Sequence, residues 1–294
     1  MLKKFEGVFV PNITPFTNGE VDEEGLRRVV RYLIDNGVDG LVPNGTTGES
    51  ATLTDDEKKR ILKIVLEEAK GKVPVIAGTG TNDTRHTIEL TQQAEELGAD
   101  AVLVVTPYYN KPTQQGLLEH FKKVASSTSL PVILYNIPGR TSRNIDTPTV
   151  IELSKVKNIV GVKEASGDIN QMMDTIKGTK NFSVLCGEDH LLFTMSCLGG
   201  NGAIAAAGHI LPNKFKEMHN LVKAGKIEKA RELHYFLLPM IRALFAETNP
   251  SPIKGAYELL GICSKETRLP LVPATEKLMG SLKSELKRLG LKRA

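Results

Sequence analysis

"ELGADAVLVV", residues 96–105, decides how the chain folds. A polar, helix-like stretch ends at Gly98, a two-residue turn follows, and an unbroken apolar run begins. The same order recurs in "DNGVDGLVPN" (35–44) and "LGGNGAIAAA" (198–207). Apolar runs rich in Val and Ile stand at 7–13, 40–44, 73–78, 101–106, 131–136, 159–163, 183–187 and 202–206. They are too uniformly apolar for a sheet with one wet face, so they read as parallel strands buried on both sides.

Amphipathic helices fill the intervals. Residues 55–70 begin with Thr54 and Glu57 in capping-box spacing. Ile61, Leu62, Val65 and Ala69 then fall on one face. Residues 84–97 behave alike and stop at Gly98, the residue type expected just past a helix end. Eight alternating units predict an α/β fold: a closed (β/α)8 TIM barrel over residues 1–224. The alternative, an open doubly wound sheet, wants a glycine-rich fingerprint after the first strand, and "PNITPFTNGE" (11–20) has none. Past residue 225 the strand signal stops. "KIEKARELHYFLLPMIRALFAE", "SPIKGAYELLG" and "ATEKLMGSLKSELKRLG" predict a C-terminal helical region over 225–294.

Bulk properties narrow the function. A net charge of +4 over 294 residues is too dilute for a nucleic-acid binder that gathers Lys and Arg in a stripe. No apolar stretch is long enough to span a bilayer. "MLKKFEGVFVPN" is too short in apolar residues for a secretory leader, so a cytoplasmic protein is expected. Cys186, Cys197 and Cys263 are scattered and odd in number, which predicts buried free thiols rather than a disulfide framework. The six histidines show no ligand spacing, so neither a catalytic metal nor another cofactor is expected.

In such a barrel the chemistry sits where the strands end. Strand two ends in "NGTTGES", strand four in "TPYYN", strand five in "YNIPGRTS" and strand six, "IVGVK", in Lys163. Read alone, Lys163 is one more exposed lysine. Beside the other three ends it gains a mechanism. An amine in a barrel mouth is partly desolvated, which disfavours its charged form, and a neutral amine can attack a ketone to form a Schiff base. The iminium then serves as the electron sink. Tyr135, Thr46 and Tyr109 supply hydroxyls that both donate and accept protons. Gly45 and Gly48 would let the backbone turn closely, so that N–H groups and the Thr47 hydroxyl hold a carboxylate. Arg140 offers a fork for a second carboxylate. The chemistry suggested is a 2-oxo acid, bound as a Schiff base and added to, or released from, an aldehyde.

"GTTGES", "TPYYNKPTQQG", "YNIPGRT", "GVKEASGD" and "LGGNGAIA", with "AETNPSPIKGAYELLG" and "TRLPLVPA" in the tail, resemble the dihydrodipicolinate synthase family. That family lies within the class I aldolases that include N-acetylneuraminate lyase. Pro43-Asn44, ahead of the Thr pair, departs from the family's pattern. The resemblance implies condensation of pyruvate with L-aspartate 4-semialdehyde to 4-hydroxy-tetrahydrodipicolinate, the first committed step towards diaminopimelate and lysine. It implies Lys163 as the Schiff-base lysine and Tyr135 as proton donor and acceptor. Thr46 would link Tyr135 to Tyr109, which crosses a dimer interface within a tetramer. Thr47 and the backbone of Ile204 would hold pyruvate, and Arg140 the semialdehyde's carboxylate. A regulatory pocket for lysine would map onto Ser50, Ala51, Asn82, His86 and Tyr108, with Asp55 and Lys58 beside it. Asp55 is expected to cap its helix, and His86 and Lys58 to disfavour a cationic ligand. Two other readings stand beside this one: a sister aldolase acting on a sugar-derived 2-oxo acid, and a non-catalytic sensor or scaffold that binds pyruvate-like ligands.

Overall fold

A computed structural model describes residues 5–291. Eight parallel strands form the wall: β1 (Gly7–Val10), β2 (Gly40–Leu41), β3 (Ile76–Gly78), β4 (Ala101–Val105), β5 (Val132–Asn136), β6 (Ile159–Glu164), β7 (Ser183–Cys186) and β8 (Gly202–Ile204). Each bonds to its sequence neighbours, and β1 pairs with both β2 and β8. The parallel bridge between Leu41 and Val75 joins β2 to β3 and closes the ring. The architecture is the (β/α)8 barrel that the periodicity predicts.

Helices cover the outside: α1 (Glu23–Asp35), α2 (Asp55–Ala69), α3 (Thr84–Leu97), α4 (Gln114–Ser126), α5 (Thr147–Leu153), α6 (Ile169–Gly178), α7 (Leu192–Cys197) and α8 (Pro212–Lys223). The Thr54–Glu57 capping box opens α2, and Gly98, at φ 88°, closes α3. Among the described residues no helix is long and apolar enough to cross a membrane. Three further helices make a C-terminal extension: α9 (Ile227–Leu244), α10 (Ser251–Leu259) and α11 (Glu276–Arg288).

Period-two alternation sorts the side chains into two cores. One lies between sheet and helices and holds Val104, Leu134, Val162 and Val184. The other fills the barrel and holds Phe9, Ile76, Leu103, Ile133, Tyr135, Leu185 and Ile204. The alternation slips once. β5 and β6 pair Val132 with Ile159 but Ile133 with Gly161, so Val160 is an extra residue in β6. This β-bulge explains the glycine inside an apolar strand. A Cβ at Gly161 would lie 2.6 Å from the Ser183 carbonyl oxygen of β7.

Two features depart from the sequence reading. Phe16–Thr17 and Glu20–Val21 form a small antiparallel hairpin about Asn18 and Gly19, both at positive φ, as an Asn-Gly turn allows. Cys186 and Cys263 are buried as expected, but Cys197 is exposed. It ends α7, a short helix whose buried face is carried by Leu192, Met195 and Ser196 instead.

Candidate active site

Lys163 stands at the C-terminal end of β6, on the face that looks into the barrel, and is only 6% exposed. The β5–β6 register sets it opposite Tyr135. Its Nζ lies 4.1 Å from the centre of the Tyr135 ring. Among the described residues no carboxylate forms an ion pair with it, so the amine is buried beside an aromatic face without a direct ionic partner. On the other side the strand meets Gly187. A Cβ there would come within 3.0 Å of Lys163 Cε, so a side chain at 187 would push the lysine stem. Ile204 ends β8 on the same inner face and is fully buried. The segment after it is held by Asp189, whose carboxylate accepts the Ala207 N–H at 2.5 Å. Burial pushes the Asp189 pKa up to about 7, against the pull of that bond and of Lys163.

The "GTTGES" loop follows β2. Thr47 is buried, and its Oγ1 accepts a hydrogen bond from Asn249 Nδ2 at 2.9 Å. The loop turns differently from the sequence expectation. Neither Gly45 nor Gly48 has positive φ; Asn44 (59°) and Glu49 (55°) take the left-handed conformations. Asn44, half of the unusual Pro43-Asn44 pair, tolerates that region and is pinned by its Nδ2 bond to the Lys58 carbonyl at 2.9 Å. The glycine that this turn requires is Gly78 on β3, where a Cβ would meet the Asn44 carbonyl oxygen at 2.3 Å.

Glu49 is held by the C-terminal extension. It forms an ion pair with Lys254, both fully enclosed, and it accepts the Arg268 N–H at 3.0 Å. Lys254 Nζ also donates to the Glu266 carbonyl at 2.7 Å and sits 4.1 Å over the Phe16 ring. Burial lowers the Lys254 pKa, although the Glu49 charge opposes this. Arg268 grips Glu57 with both terminal nitrogens, at 2.9 and 2.6 Å, and reaches the Thr52 carbonyl at 3.1 Å. Those bonds, against an opposing burial effect, hold the Glu57 pKa down at about 2. None of this clamp was marked as functional from sequence. "AETNPSPIKGAYELLG" and "TRLPLVPA" carried the signal: a lysine in an otherwise apolar helix.

The other side of the rim is open. Tyr109 lies beyond β4 and is 89% exposed. Its φ is 72°, and the Asn110 N–H donates to the Tyr108 carbonyl at 2.9 Å. This is a γ-turn of the rare, strained form. Among the described residues no hydrogen bond joins Thr46 to Tyr135 or Tyr109, so a single chain does not link the three hydroxyls. Arg140 sits on a one-turn helix (Pro138–Thr141) after β5, is exposed, and has no side-chain partner among the described residues. A cavity of about 350 Å³ brings Arg140 and Thr46 together with Ser50, Ala51, Tyr108 and Asn249. Lys163 and Tyr135 are not on its wall, nor are Asn82 and His86.

Asp55 does not cap α2. Thr54 does, which leaves the Asp55 carboxylate to bridge Lys58 Nζ at 3.0 Å and His86 Nε2 at 2.9 Å. Burial would raise the Asp55 pKa, but these two bonds together hold it below the usual range.

A profile of the dihydrodipicolinate synthetase family matches residues 4–289. The chain belongs to this family. The 4-hydroxy-tetrahydrodipicolinate synthase of Thermotoga neapolitana is 48% identical over 292 residues, covering 98% of this chain and 99% of that one. The enzyme of the same name from Syntrophus aciditrophicus is 47% identical over 288 residues, again covering 98% and 99%. The crystal structure of dihydrodipicolinate synthase from Thermotoga maritima superposes with a TM-score of 0.96 at 46% identity, covering 98% of this chain and all of that one. The family's structure from Cyanidioschyzon merolae, described with lysine bound, gives 0.96 at 39% identity, with 98% and 100% covered.

Proposed function

We propose that the chain condenses pyruvate with L-aspartate 4-semialdehyde to give 4-hydroxy-tetrahydrodipicolinate, a lyase of lysine and diaminopimelate biosynthesis. The observation that carries this reading is the buried Lys163 beside Tyr135, free of any ion pair among the described residues, in a chain whose residues 4–289 match the family. The Lys163 amine attacks the pyruvate ketone and expels water to form the Schiff base. The iminium withdraws electrons from the pyruvate methyl carbon, which loses a proton and adds to the aldehyde; the second substrate's own amino group then attacks the iminium carbon, closing the ring and expelling the Lys163 amine. Tyr135 is the group we assign to proton transfer. Thr47 and the Ile204 backbone hold the pyruvate carboxylate, with Gly45 and Gly48 in the same loop. The unpartnered Arg140 takes the carboxylate of the second substrate.

Tyr109, turned outward on a strained turn, would complete the relay with Thr46 in a neighbouring subunit, within a dimer-based tetramer. The Ser50, Ala51, Asn82, His86 and Tyr108 set is assigned to the same interface. We place the division between barrel and helical region at residues 224 and 225, where Gly225 adopts φ 71° after α8. We place the protein in the cytoplasm, with no nucleic-acid or membrane partner.

Incubation with pyruvate and borohydride tests the reading. One reduced pyruvate should attach, and peptide mapping should find it on Lys163. A label on another lysine, or none on folded protein, would overturn the Schiff-base assignment. A panel of aspartate semialdehyde and sugar-derived 2-oxo acids then decides the second substrate.

A further inference from the structure

The residue after the lysine, Glu164, points the other way. It faces the helix layer, where outward residues of the neighbouring strands such as Leu134 and Val184 are apolar, and it is 0% exposed. Among the described residues it forms no ion pair. A carboxylate buried in this way is expensive unless its oxygens are fully bonded. They are bonded to neutral donors alone. Asn136 Nδ2 reaches both oxygens, at 3.2 and 3.0 Å. Gln171 Nε2 of α6 donates at 3.0 Å, and the Ser166 N–H at 2.7 Å.

The identity of these donors matters more than their number. Asn136 directly follows Tyr135 on β5. Its own carbonyl accepts the Ala165 N–H at 2.8 Å, and its Oδ1 accepts the Ile145 N–H at 2.9 Å. Asn144 joins the set through Asn136 and Gln171, at 2.8 Å to each, and so fixes the segment that follows Arg140. The Glu164 carbonyl accepts the Gly187 N–H at 2.8 Å, at the glycine that abuts the Lys163 stem. One carboxylate therefore ties together the strand end bearing Tyr135, the strand end bearing Lys163 and the loop bearing Arg140.

We propose that Glu164 is a positioning residue for the Schiff-base reaction: its carboxylate fixes Lys163, Tyr135 and the Arg140 loop relative to one another. The proposal rests on the Lys163 reading above. An apolar side chain would fill the space, but it could not orient Asn136 and Gln171. Glu164→Gln keeps the shape and sets an amide N–H2 against a shell made only of donors.

The test is steady-state kinetics per competent site, with sites counted by pyruvate–borohydride labelling and folding checked by circular dichroism. A displacement of about 1 Å at reacting groups costs on the order of 10² in rate. Glu164→Gln should therefore lower kcat roughly 10- to 100-fold, with KM for pyruvate changed less than about threefold, because Thr47 and Ile204 are untouched. Glu164→Asp should recover part of the loss. A purely stabilising role would lower Tm and the number of labelled sites and leave kcat per site at the wild-type value, which would overturn the proposal. If Glu164→Gln does not fold, Gln171→Leu, which removes one donor, decides: a several-fold lower kcat per site supports the proposal and an unchanged value overturns it. Wild-type protein that labels elsewhere than Lys163 would overturn both readings. Correct labelling with wild-type turnover in the variants would overturn this one alone.

Discussion

Tyr135 lies near the end of one apolar barrel strand and Tyr109 follows another, yet the chain treats them in opposite ways. Tyr135 is paired within the sheet, buried, and stacked beside Lys163. Tyr109 has left the sheet, sits on a strained turn and is almost wholly exposed. The same contrast divides the whole rim. The Thr47 loop is anchored by Asn249, Lys254 and Arg268 from the tail, whereas Arg140, Ser50, Ala51 and Tyr108 face an open cavity. A residue held by ladder bonds needs nothing beyond its own chain. A residue kept at positive φ and in solvent costs about 1–3 kcal/mol of strain, and that cost is intelligible when something outside the chain receives it.

The contrast can be broken or sharpened by experiment. The largest effect belongs to the enclosed side: Tyr135→Phe should fold normally and lose about 10² to 10⁴ in kcat, the range for one placed acid–base group. A variant retaining most of its turnover would remove Tyr135 from the proton path. Next is Lys254→Met, which leaves Glu49 buried without its cation. Breaking such a pair costs about 3–5 kcal/mol, so urea unfolding should shift its midpoint strongly; a midpoint within error of wild type would show that the clamp carries little stability.

On the open side, Tyr109→Phe should reduce activity by a smaller factor, about tenfold. Mixing it with Lys163→Ala protomers should restore activity in hybrid dimers. Confirmed hybrids with no recovery would place Tyr109 in service to its own subunit or to none. The Glu57–Arg268 bonds predict a pH effect confined to acid. The folded Glu57 pKa, about 2, is below the unfolded value of about 4.3. Its contribution is complete above that unfolded value and is lost as pH falls towards the folded one. Arg268→Gln should therefore narrow the stability difference between pH 6 and pH 3, and an unchanged difference would discount the pair. The smallest effect concerns L-lysine. The Asp55 carboxylate is already paired with Lys58 and hydrogen-bonded to His86, so a cationic amino acid finds it occupied, and little inhibition is expected at low millimolar concentration near pH 8. An inhibition midpoint below about 1 mM would mean that Asp55 exchanges partners.

The barrel was legible because strands buried on both faces leave unbroken apolar runs, and because Thr54 and Gly98 mark helix ends. Strand lengths were overestimated where the chain leaves the sheet to build the rim: the run at 7–13 is strand only to Val10, and that at 40–44 only to Leu41. Lys163 and Tyr135 could be read because a strand end fixes where a side chain points. The loop geometry could not. Its left-handed residues are Asn44 and Glu49 rather than the glycines, and Glu49 is held by Lys254 and Arg268, residues so distant in sequence that no local pattern links them. Asp55 was misread for a local reason: two adjacent residues could cap one helix, and Thr54 takes that place.

The bulge in β6 has the effect of an inserted letter in a message read two at a time. Val160 and Gly161 both lie on the inner phase, so everything after them is shifted by one. Iron the bulge out with Val160 retained, and regular alternation would carry Lys163 to the helix side and bring Glu164 into the barrel mouth; remove Val160 instead, and Ile159 and Gly161 would follow Val132 and Ile133 in step, leaving Lys163 opposite Tyr135. Whether this barrel presents an amine or an acid at its centre is thus a matter of parity, set upstream of the lysine by the bulge in its strand.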